Sequence, residues 1–468
     1  MPQRGKPGKK RSKAPPGVNL VDGLALGLGH FMPQFLKMLR NPKLDPRDQD
    51  LIWYEADLLL MQALMMPLTH VPSRRQFNLA CQDETFRKNI AAILGRDVPE
   101  LASAHAVNYL MERITPSGLM EMLAGLVVPL IRSKKLDRFR FEGEFLVPLD
   151  GTEVMRRPNR RHCDKCLVAK HHDGRVEYFH QVVDAKLVTE GGLSFSLGFE
   201  PIENVNGRYE KQDCETVAGR RLLERLKKRF PCLPICILGD ALYACEGTID
   251  QIVANGWSFF LSFLPGRLPT AYTAAEARLA ANPHNQLTAK DKKNGETRVY
   301  RWVTSLPCGT HTLHAVFVDI TDKKGRNTRL AYLTNHRPNA ANVRRLTDQG
   351  GRQRAKIENA FNTQKNHGYN LEHAYGSRGH ALKNYYAITQ IAHMIHQLMA
   401  HTDLFGKLAG EEAEGGAPEK KCARHVFRTI RAFVAKLAED LRHCLTEGVG
   451  TVRERFGKIQ LRFVYNTT

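Results

Sequence analysis

Three acidic residues of this 468-residue chain have sequence contexts suited to phosphoryl transfer. Asp150 follows the apolar run FLVPL, and Asp240 follows a second short apolar run, ICILG. We expect both runs to be buried strands, with a turn at Gly151 that ends the first. Glu358 lies in the segment 350–365, which has a helical pattern. Because a buried carboxylate is costly unless a cation compensates for it, we predict that the three acids converge on one point.

Converging carboxylates favour hard divalent cations. At an effective dielectric constant of about 20, two carboxylates about 4 Å apart repel each other by about 4 kcal/mol. Mg²⁺ prefers oxygen ligands and keeps positions open for water and phosphate. Two such ions about 3.5–4 Å apart stabilise the attacking and the leaving oxygen of an in-line phosphoryl displacement. We therefore predict that Asp150, Asp240 and Glu358 hold two Mg²⁺ ions, with Mn²⁺ as a substitute.

The predicted helix around Glu358 also carries basic residues. Arg354 lies four residues before Glu358 and Lys365 lies two turns after it, so the three share one helical face. This face suits an acid that binds metal between bases that bind DNA phosphates, but a solvated face of ion pairs has the same pattern. Further bases that we assign to the DNA backbone are Arg344, Arg345, Arg352 and Lys356.

The charge balance points to a polyanionic partner. The chain has 69 Lys and Arg residues against 48 acids, a formal net charge of +21, which favours nucleic acid over a membrane surface. The alternative is a protein that is merely basic. No apolar run approaches the ~18 residues needed to span a bilayer, and the N-terminal segment has no signal-peptide cleavage pattern. Ten scattered cysteines do not form a secreted disulfide framework, so we expect a cytoplasmic protein without a membrane partner.

The hydrophobic pattern predicts an α/β organisation around the three acids. Strands at 145–152, 176–187 and 193–199 precede an amphipathic helix from Asp213 to Phe230, and strand, helix and strand follow. The residues of this helix that we expect to face inward are Val217, Leu222, Leu223 and Leu226. The predicted segments are a disordered basic arm at 1–17, a helical N-terminal DNA-binding domain at 18–136, the first part of the core at 137–264, a β-rich insertion at 265–336, the second part of the core at 337–402, a linker at 403–421 and a C-terminal helical segment at 422–468.

A cysteine pair suggests a second metal site. Cys163 and Cys166 have the C-x-x-C spacing of half a zinc site, and Cys214 or His180 could complete it. The alternative is that these cysteines are buried core residues.

The acidic motifs resemble a known catalytic signature. LDG at Asp150, GDALY at Asp240, and R-x3-E-x6-K from Arg354 through Glu358 to Lys365 are similar to the motifs of DDE transposases from bacterial insertion sequences. More narrowly, they resemble the insertion sequence four family, which is marked by Y-x2-R-x3-E-x6-K. With YFH at 178–180, KQDCE at 211–215 and LTN at 333–335, the resemblance covers about residues 141–375. The tyrosine position of the family motif is Gly351 here.

The resemblance implies an RNase H-like (retroviral-integrase-like) domain, with a mixed five-stranded sheet, flanking helices and a β-rich insertion before the glutamate helix. It implies Mg²⁺-dependent nicking at the terminal inverted repeats of an element, attack of the freed 3′-OH on target DNA, and a nucleoid-associated homodimer on paired ends. It also implies that Arg354 and Lys365 contact the phosphate near the cut, together with a tyrosine that Gly351 lacks. Two alternatives stay open: an RNase H-like nuclease without strand transfer, and a transposase-derived DNA-binding protein that no longer cuts.

Overall fold

The computed structural model describes residues 18–159, 165–204, 212–291, 294–373, 375–408, 427, 429–456 and 461–464. The predicted basic arm at 1–17, residues 409–421 of the predicted linker, and Cys163 lie outside the described residues. The chain forms two compact units. The first comprises Met1–Leu119, Asn366–Asn370 and Gly379–Thr468, and the second comprises Met120–Lys365 and Leu371–Arg378.

Helices occur in both units. Among the described residues they are α1 (Leu20–Phe31), α2 (Phe35–Leu39), α3 (Ala56–Leu68), α4 (Arg74–Ala80), α5 (Glu84–Leu94), α6 (Ala104–Arg113), α7 (Pro116–Arg132), α8 (Glu215–Arg229), α9 (Glu246–Ala254), α10 (Pro269–Ala281), α11 (Val343–Arg345), α12 (Ala355–Asn366), α13 (Ala381–Ala400), α14 (Leu404–Leu408), α15 (Ile430–His443) and α16 (Val449–Arg455). No single helix among them is long and apolar enough to cross a membrane, although α6 and α7 taken together pass on length and composition.

The first unit is helical and draws on both ends of the chain. Its helix α3 is buried along nearly its whole length and packs against α13. Polar side chains link the N-terminal helices to the C-terminal ones. The backbone N–H of Leu20 donates to Asp440 at 3.0 Å, and Asn89 donates to the carbonyl of Leu441 at 2.9 Å. The C-terminal helices therefore belong to the same unit as the helices that begin the predicted N-terminal domain.

The second unit contains a large mixed sheet, which makes it an α/β structure. Its strands, among the described residues, are β1 (Phe145–Arg157), β2 (Leu167–Lys170), β3 (Val176–Val188), β4 (Ser194–Ile202), β5 (Ile235–Gly239), β6 (Ser258–Ser262), β7 (Gln286–Asp291), β8 (Glu296–Cys308), β9 (His311–Thr321) and β10 (Asn327–Thr334). The strand order is β2-β3-β1-β5-β6-β10-β9-β8-β7, and β4 also pairs with β3. Strands β1, β5 and β6 are parallel neighbours, whereas β3 and β4 run antiparallel.

The predicted order of three strands, helix, strand, helix and strand is present as β1, β3, β4, α8, β5, α9 and β6, with the short β2 added. The predicted turn at Gly151 is wrong, because β1 continues through Asp150 and Gly151 as far as Arg157. Residues 149–153 pair with β3, which keeps the backbone extended. A glycine is needed at this position for another reason: a Cβ on Gly151 would collide with the carboxylate of Glu215.

The predicted β-rich insertion continues the same sheet. Strands β7 to β10 form antiparallel pairs, and β10 joins β6 with Thr334 opposite Phe260. The sheet is therefore larger than the five strands predicted. The segment also contains a 13-residue helix, α10.

Helix α8 buries most of the predicted face, because Leu222, Leu223 and Leu226 are buried as predicted. Ala218, Gly219, Leu222, Leu223 and Leu226 are buried. Val217, predicted to face inward, is 37% exposed because it lies off this face. The same face extends back to Glu215 in the first turn, so the helix directs an acid inward.

Candidate active site

Asp150 and Asp240 lie on adjacent parallel strands. Pro148 of β1 pairs with Leu238 of β5. Asp150 comes two residues after Pro148, and Asp240 comes two residues after Leu238. Neighbouring strands are about 4.8 Å apart, so the register brings the two acids side by side. Asp240 comes directly after β5, and its carboxylate accepts a hydrogen bond from the backbone N–H of Leu242 at 2.8 Å.

The electrostatics of Asp150 show which charges surround it. Burial, which has the largest effect, and the charges of Glu215, Glu358 and Asp240 together raise the pKa of Asp150 from 3.8 to about 7, and the charge of Arg354 opposes this rise. Desolvation disfavours the charged carboxylate, and nearby negative charges add to that effect. The structure thus brings the three predicted acids within range of one another's charges, with Arg354 and Glu215 beside them.

Glu358 is held by an arginine. Helix α12 begins at Ala355, and a 3-10 turn from Gly351 to Arg354 leads into it. Arg354 forms an ion pair with Glu358 at 2.5 Å, and the glutamate side chain is 49% exposed. Since Arg354 also lowers the pKa of Asp150, its guanidinium compensates for part of the negative charge of both acids.

The three predicted acids do not close around a single point. Among the described residues, they are not a group whose ligand atoms all lie within 4.8 Å of one another. A two-ion site does not require this, because each ion needs only some of the carboxylates.

Glu215 is a site residue that the sequence reasoning missed. One of its carboxylate oxygens accepts hydrogen bonds from the backbone N–H of Gly151 and from the Tyr243 hydroxyl, both at 3.1 Å. The other accepts from Gln181 at 3.2 Å. Burial, and then the charge of Asp240, raise its pKa, which these hydrogen bonds counteract. The available signal was an acid in the first turn of an amphipathic helix, on the face that continues toward Leu222.

Tyr243 holds this fourth carboxylate through the hydrogen bond from its hydroxyl. It is fully buried, and burial together with the charge of Glu215 raises its pKa well above the usual value. The ring leaves no room for a Cβ at Gly219, so this glycine permits its position. A Cβ at Gly239 would collide with Leu261 and would lie close to Tyr243. The last residue of the GDALY motif therefore holds Glu215 near Asp240.

A buried ion pair lies beside Asp150. Asp184 of β3 is directly opposite Asp150, and its carboxylate accepts from Lys186 at 2.8 Å and from Ser196 at 2.7 Å. Both members of the pair are fully buried. The Lys186 ammonium lies 5.3 Å from the ring centroid of Phe361 in α12, so this pair lies against the helix that carries Glu358.

The bases assigned to DNA have partners within the second unit. Lys365 pairs with Glu372 at 2.7 Å, and Arg345 pairs with Glu142 at 2.5 Å. Arg344 and Arg352 lie 3.8 and 3.5 Å from Asp348.

Lys356 is bonded to the turn between β3 and β4. It donates to the backbone carbonyls of Thr189 and, at 2.9 Å, Glu190. Burial lowers its pKa to about 8. These contacts orient α12 on the sheet.

The ring of Tyr332 lies against Gly351. A Cβ on Gly351 would lie 2.8 Å from the ring of Tyr332, a buried residue of β10. Burial raises the pKa of Tyr332 to about 12, and the charges of Arg352 and Arg354 oppose the rise. An aromatic ring therefore lies beside Arg354 although the chain has no tyrosine at position 351.

The predicted zinc ligands are only partly visible. Cys166 and His180 are buried, Cys214 is exposed, and Cys163 lies outside the described residues. Within the described part of the chain, these residues do not form a cluster of metal-ligand atoms. Zinc at the C-x-x-C pair stays a prediction.

No model of a known protein family matches the chain, and no curated protein matches it either.

Proposed function

We propose that the chain is a DDE transposase, which cleaves DNA at the ends of an element and joins the freed ends to target DNA. The observation that carries this proposal is the convergence of charge on Asp150, whose pKa is raised to about 7 by burial and by the acids around it. A site that stores this much unfavourable electrostatic energy without metal is suited to divalent cations.

The topology supports an RNase H-like catalytic domain as part of this proposal. Three antiparallel strands, β1, β3 and β4, are followed by α8, β5, α9 and β6. The strands β7 to β10 come between β6 and α12, which carries Glu358. This is the order that the resemblance implies, with the β-rich segment inserted before the glutamate helix.

The donor set fits magnesium. Asp150, Asp240 and Glu358 would hold Mg²⁺ through hard carboxylate oxygens, and Glu215 adds a fourth carboxylate beside them. Bound there, the ions would supply Lewis-acid stabilisation of the oxygens that attack and leave phosphorus. The four carboxylates carry the negative charge that two divalent cations would balance, so Glu358 would no longer need Arg354 as its partner.

The residues of the chain have separate tasks in this proposal. Asp150 gives up its proton when a cation arrives. Gly151 and Tyr243 fix Glu215 through hydrogen bonds, so that its charge stays beside Asp240. Arg354, once released, pairs with a DNA phosphate, since a guanidinium matches phosphate oxygens in a bidentate manner.

Nicking and joining of plasmid DNA test the proposal. The substrate is a supercoiled plasmid that carries the terminal repeats flanking the reading frame, with Mg²⁺ or Mn²⁺ present. We expect joined products from the unmodified protein. Cuts without joining would identify a nuclease, and retention without cuts would identify a DNA-binding protein.

Substitutions assign the site. Asp150→Asn, Asp240→Asn and Glu358→Gln should each abolish cleavage and leave end binding intact. Asp173→Asn is the matched control, because Asp173 is exposed and pairs with Arg175. Full cutting by any one of the three variants would remove that residue from the site.

DNA contacts are proposed for Lys365, Arg344, Arg345, Arg352 and Arg354, whereas Lys356 orients α12. The logarithm of the binding constant should fall with the logarithm of salt concentration, with a slope of about −0.9 per phosphate contacted. Substituting Lys365 or Arg345 by alanine should reduce this slope by about one. An unchanged slope would exclude that residue from the DNA surface.

The remaining parts of the proposal concern partners. We propose that the helices of the first unit bind the element ends, that a homodimer acts on paired ends, and that the protein works in the cytoplasm. Two protomers per pair of ends in light scattering is the expected result, and one protomer would contradict the dimer.

A further inference from the structure

A second group of metal-ligand side chains lies at the other end of the β1–β5 pair. Glu144, just before β1, Cys236 in β5 and His336, just after β10, have ligand atoms that all lie within 4.8 Å of one another. Cys236 comes four residues before Asp240, so at about 3.3 Å per residue the group is roughly 13 Å away from the acids along the strand. It is therefore separate from the proposed magnesium site.

The spacing of the ligand atoms suits a tetrahedral ion. His336 Nε2 lies 3.3 Å from Glu144 Oε2. In a tetrahedron with metal bonds of about 2.0–2.1 Å to nitrogen and oxygen, two such ligands are separated by about 3.3 Å. The two side-chain atoms thus have the separation that two ligands of a bound ion would have.

Ser258 of β6 supplies a fourth polar atom. Its hydroxyl lies 2.9 Å from His336 Nε2 and donates to Glu144. Four heteroatoms from four neighbouring strand segments, Glu144, Cys236, Ser258 and His336, therefore face one another.

The imidazole of His336 is held in place by its surroundings. It stacks on Phe260 with ring centroids 5.1 Å apart and an interplanar angle of 12°, and Phe141 contacts it edge-on. The preceding residue, Asn335, accepts from the backbone N–H of Phe259 at 3.0 Å and donates to the carbonyl of Trp257 at 3.3 Å. These hydrogen bonds fix the backbone on both sides of Ser258 and the residue before His336. They would orient His336 in the way that contacts outside the ligand shell orient the ligands of metal sites.

We propose that Glu144, Cys236 and His336 bind one divalent transition-metal ion of the zinc class, with the Ser258 hydroxyl or a water in the fourth position. Cys236 binds as the thiolate, Glu144 as the carboxylate and His336 through an unprotonated Nε2, so a divalent ion makes the group electrically neutral. The thiol proton of Cys236 leaves to solvent. Mg²⁺ does not compete, because a thiolate is a soft ligand.

The ion would have a structural role. Its ligands come from the ends of β1, β5 and β10, so it would tie the β-rich strands to the strands that carry Asp150 and Asp240. This assignment does not depend on the proposed transposase activity.

Cobalt binding to the full chain tests the site. Protein stripped by a chelator is titrated with Co²⁺ in excess Mg²⁺, which occupies the carboxylate site, and the thiolate-to-cobalt absorption is recorded. We expect this absorption to be present in the wild type and in Cys308→Ser, a buried cysteine of β8 that serves as the control. It should also persist in Cys166→Ser, which separates this site from the C-x-x-C pair.

Two variants decide the outcome. His336→Phe keeps a ring on Phe260 but removes a ligand, and Glu144→Gln changes a side chain that is 18% exposed. Each variant should weaken Co²⁺ binding by more than about 100-fold, because the loss of a residue that only supports a ligand costs about 10- to 100-fold. If His336→Phe does not fold by circular dichroism, Glu144→Gln decides alone. Absorption that survives Glu144→Gln unchanged, or a folded wild type that binds no Co²⁺, overturns the proposal.

Discussion

Asp150 of β1 and Asp184 of β3 are direct partners in the antiparallel pair, and their side chains share one face of the sheet. Asp184 is neutralised by the buried Lys186, with which it forms an ion pair at 2.8 Å. Asp150 has no such lysine and depends on Arg354, which also serves Glu358. Of two adjacent acids, one is therefore paired with a buried lysine, and the other has a pKa raised to about 7.

Breaking the buried ion pair should destabilise the second unit strongly. Lys186→Met leaves the Asp184 carboxylate buried without its cation, which costs about 3–5 kcal/mol. Adding Asp184→Asn to this variant should restore part of the loss, because no uncompensated charge remains. Chemical denaturation of both single variants and the double variant measures the coupling, and simple additivity would contradict the ion pair's role.

Removing the Asp150 charge should stabilise the metal-free protein at high pH. The folded-state pKa is about 7 against 3.8 for the ordinary value, so the folded state binds more protons between these two pH values. Stability is therefore lost as pH rises from about 4 to 7, by up to about 4 kcal/mol at 1.36 kcal/mol per pKa unit.

The measurement is the free energy of unfolding in the presence of a chelator. The free energy of unfolding of Asp150→Asn should exceed that of the wild type at pH 8 and should equal it near pH 4. Asp173→Asn, on the surface, should follow the wild type throughout. A less stable Asp150→Asn at pH 8 would mean that the site is not electrostatically strained.

Glu215 should contribute to metal affinity. Glu215→Gln keeps an oxygen that accepts from Gly151 and Tyr243 but removes the negative charge beside Asp240. We expect Mn²⁺ affinity, measured by calorimetry, to fall about 10- to 100-fold. Glu224→Gln is the control on the same helix, since Glu224 is exposed and pairs with Lys228. Equal affinities in the two variants would place Glu215 outside the metal site.

Restoring a tyrosine at position 351 should harm the protein. Gly351→Ala already brings a Cβ within 2.8 Å of the Tyr332 ring, and overpacking of this kind costs about 1–3 kcal/mol. Gly351→Tyr should cost more and should not raise DNA affinity, whereas adding Tyr332→Ala should recover part of the stability. Gly266→Ala, which meets no atom within 4 Å, is the control in thermal denaturation. A neutral Gly351→Ala would contradict the close packing.

Acid should weaken the first unit through its buried histidines. Burial lowers the pKa of His396 from 6.5 to about 3 and that of His70 to about 4. Both are neutral when folded, so the unfolded state binds more protons below pH 6.5, and stability is lost as pH falls toward the folded values.

The stability of the first unit should therefore fall by several kcal/mol between pH 7 and pH 4, at about 1.36 kcal/mol per unit of pKa shift. His396 also accepts from Tyr369 at 2.7 Å and contacts the Leu68 carbonyl at 3.0 Å, so His396→Gln lowers stability at neutral pH but flattens the pH dependence. The exposed His443→Gln should leave the dependence unchanged. An unaltered slope in His396→Gln would exclude this histidine as its source.

The local sequence indicated much of the site and some of the fold. Asp150, Asp240 and Glu358 each follow or occupy a strong hydrophobic pattern, so their elements could be predicted from neighbouring residues. Glu215 could not, because its place beside Gly151 depends on how α8 lies against the sheet. The ring of Tyr332 near Gly351 likewise depends on the pairing of β10 with β6, which joins residues distant in the chain.

Strand β10 also determines how far the protein can be shortened. It covers the hydrogen-bonding edge of β6, pairing Thr334 with Phe260. A truncated version without residues 265–336 would expose the unpaired backbone groups of β6 and the ring of Phe260. Other copies of the chain could then pair with this exposed edge, which leads to aggregation. A minimal version of the second unit therefore has to retain the β-rich segment or replace the strand that covers β6.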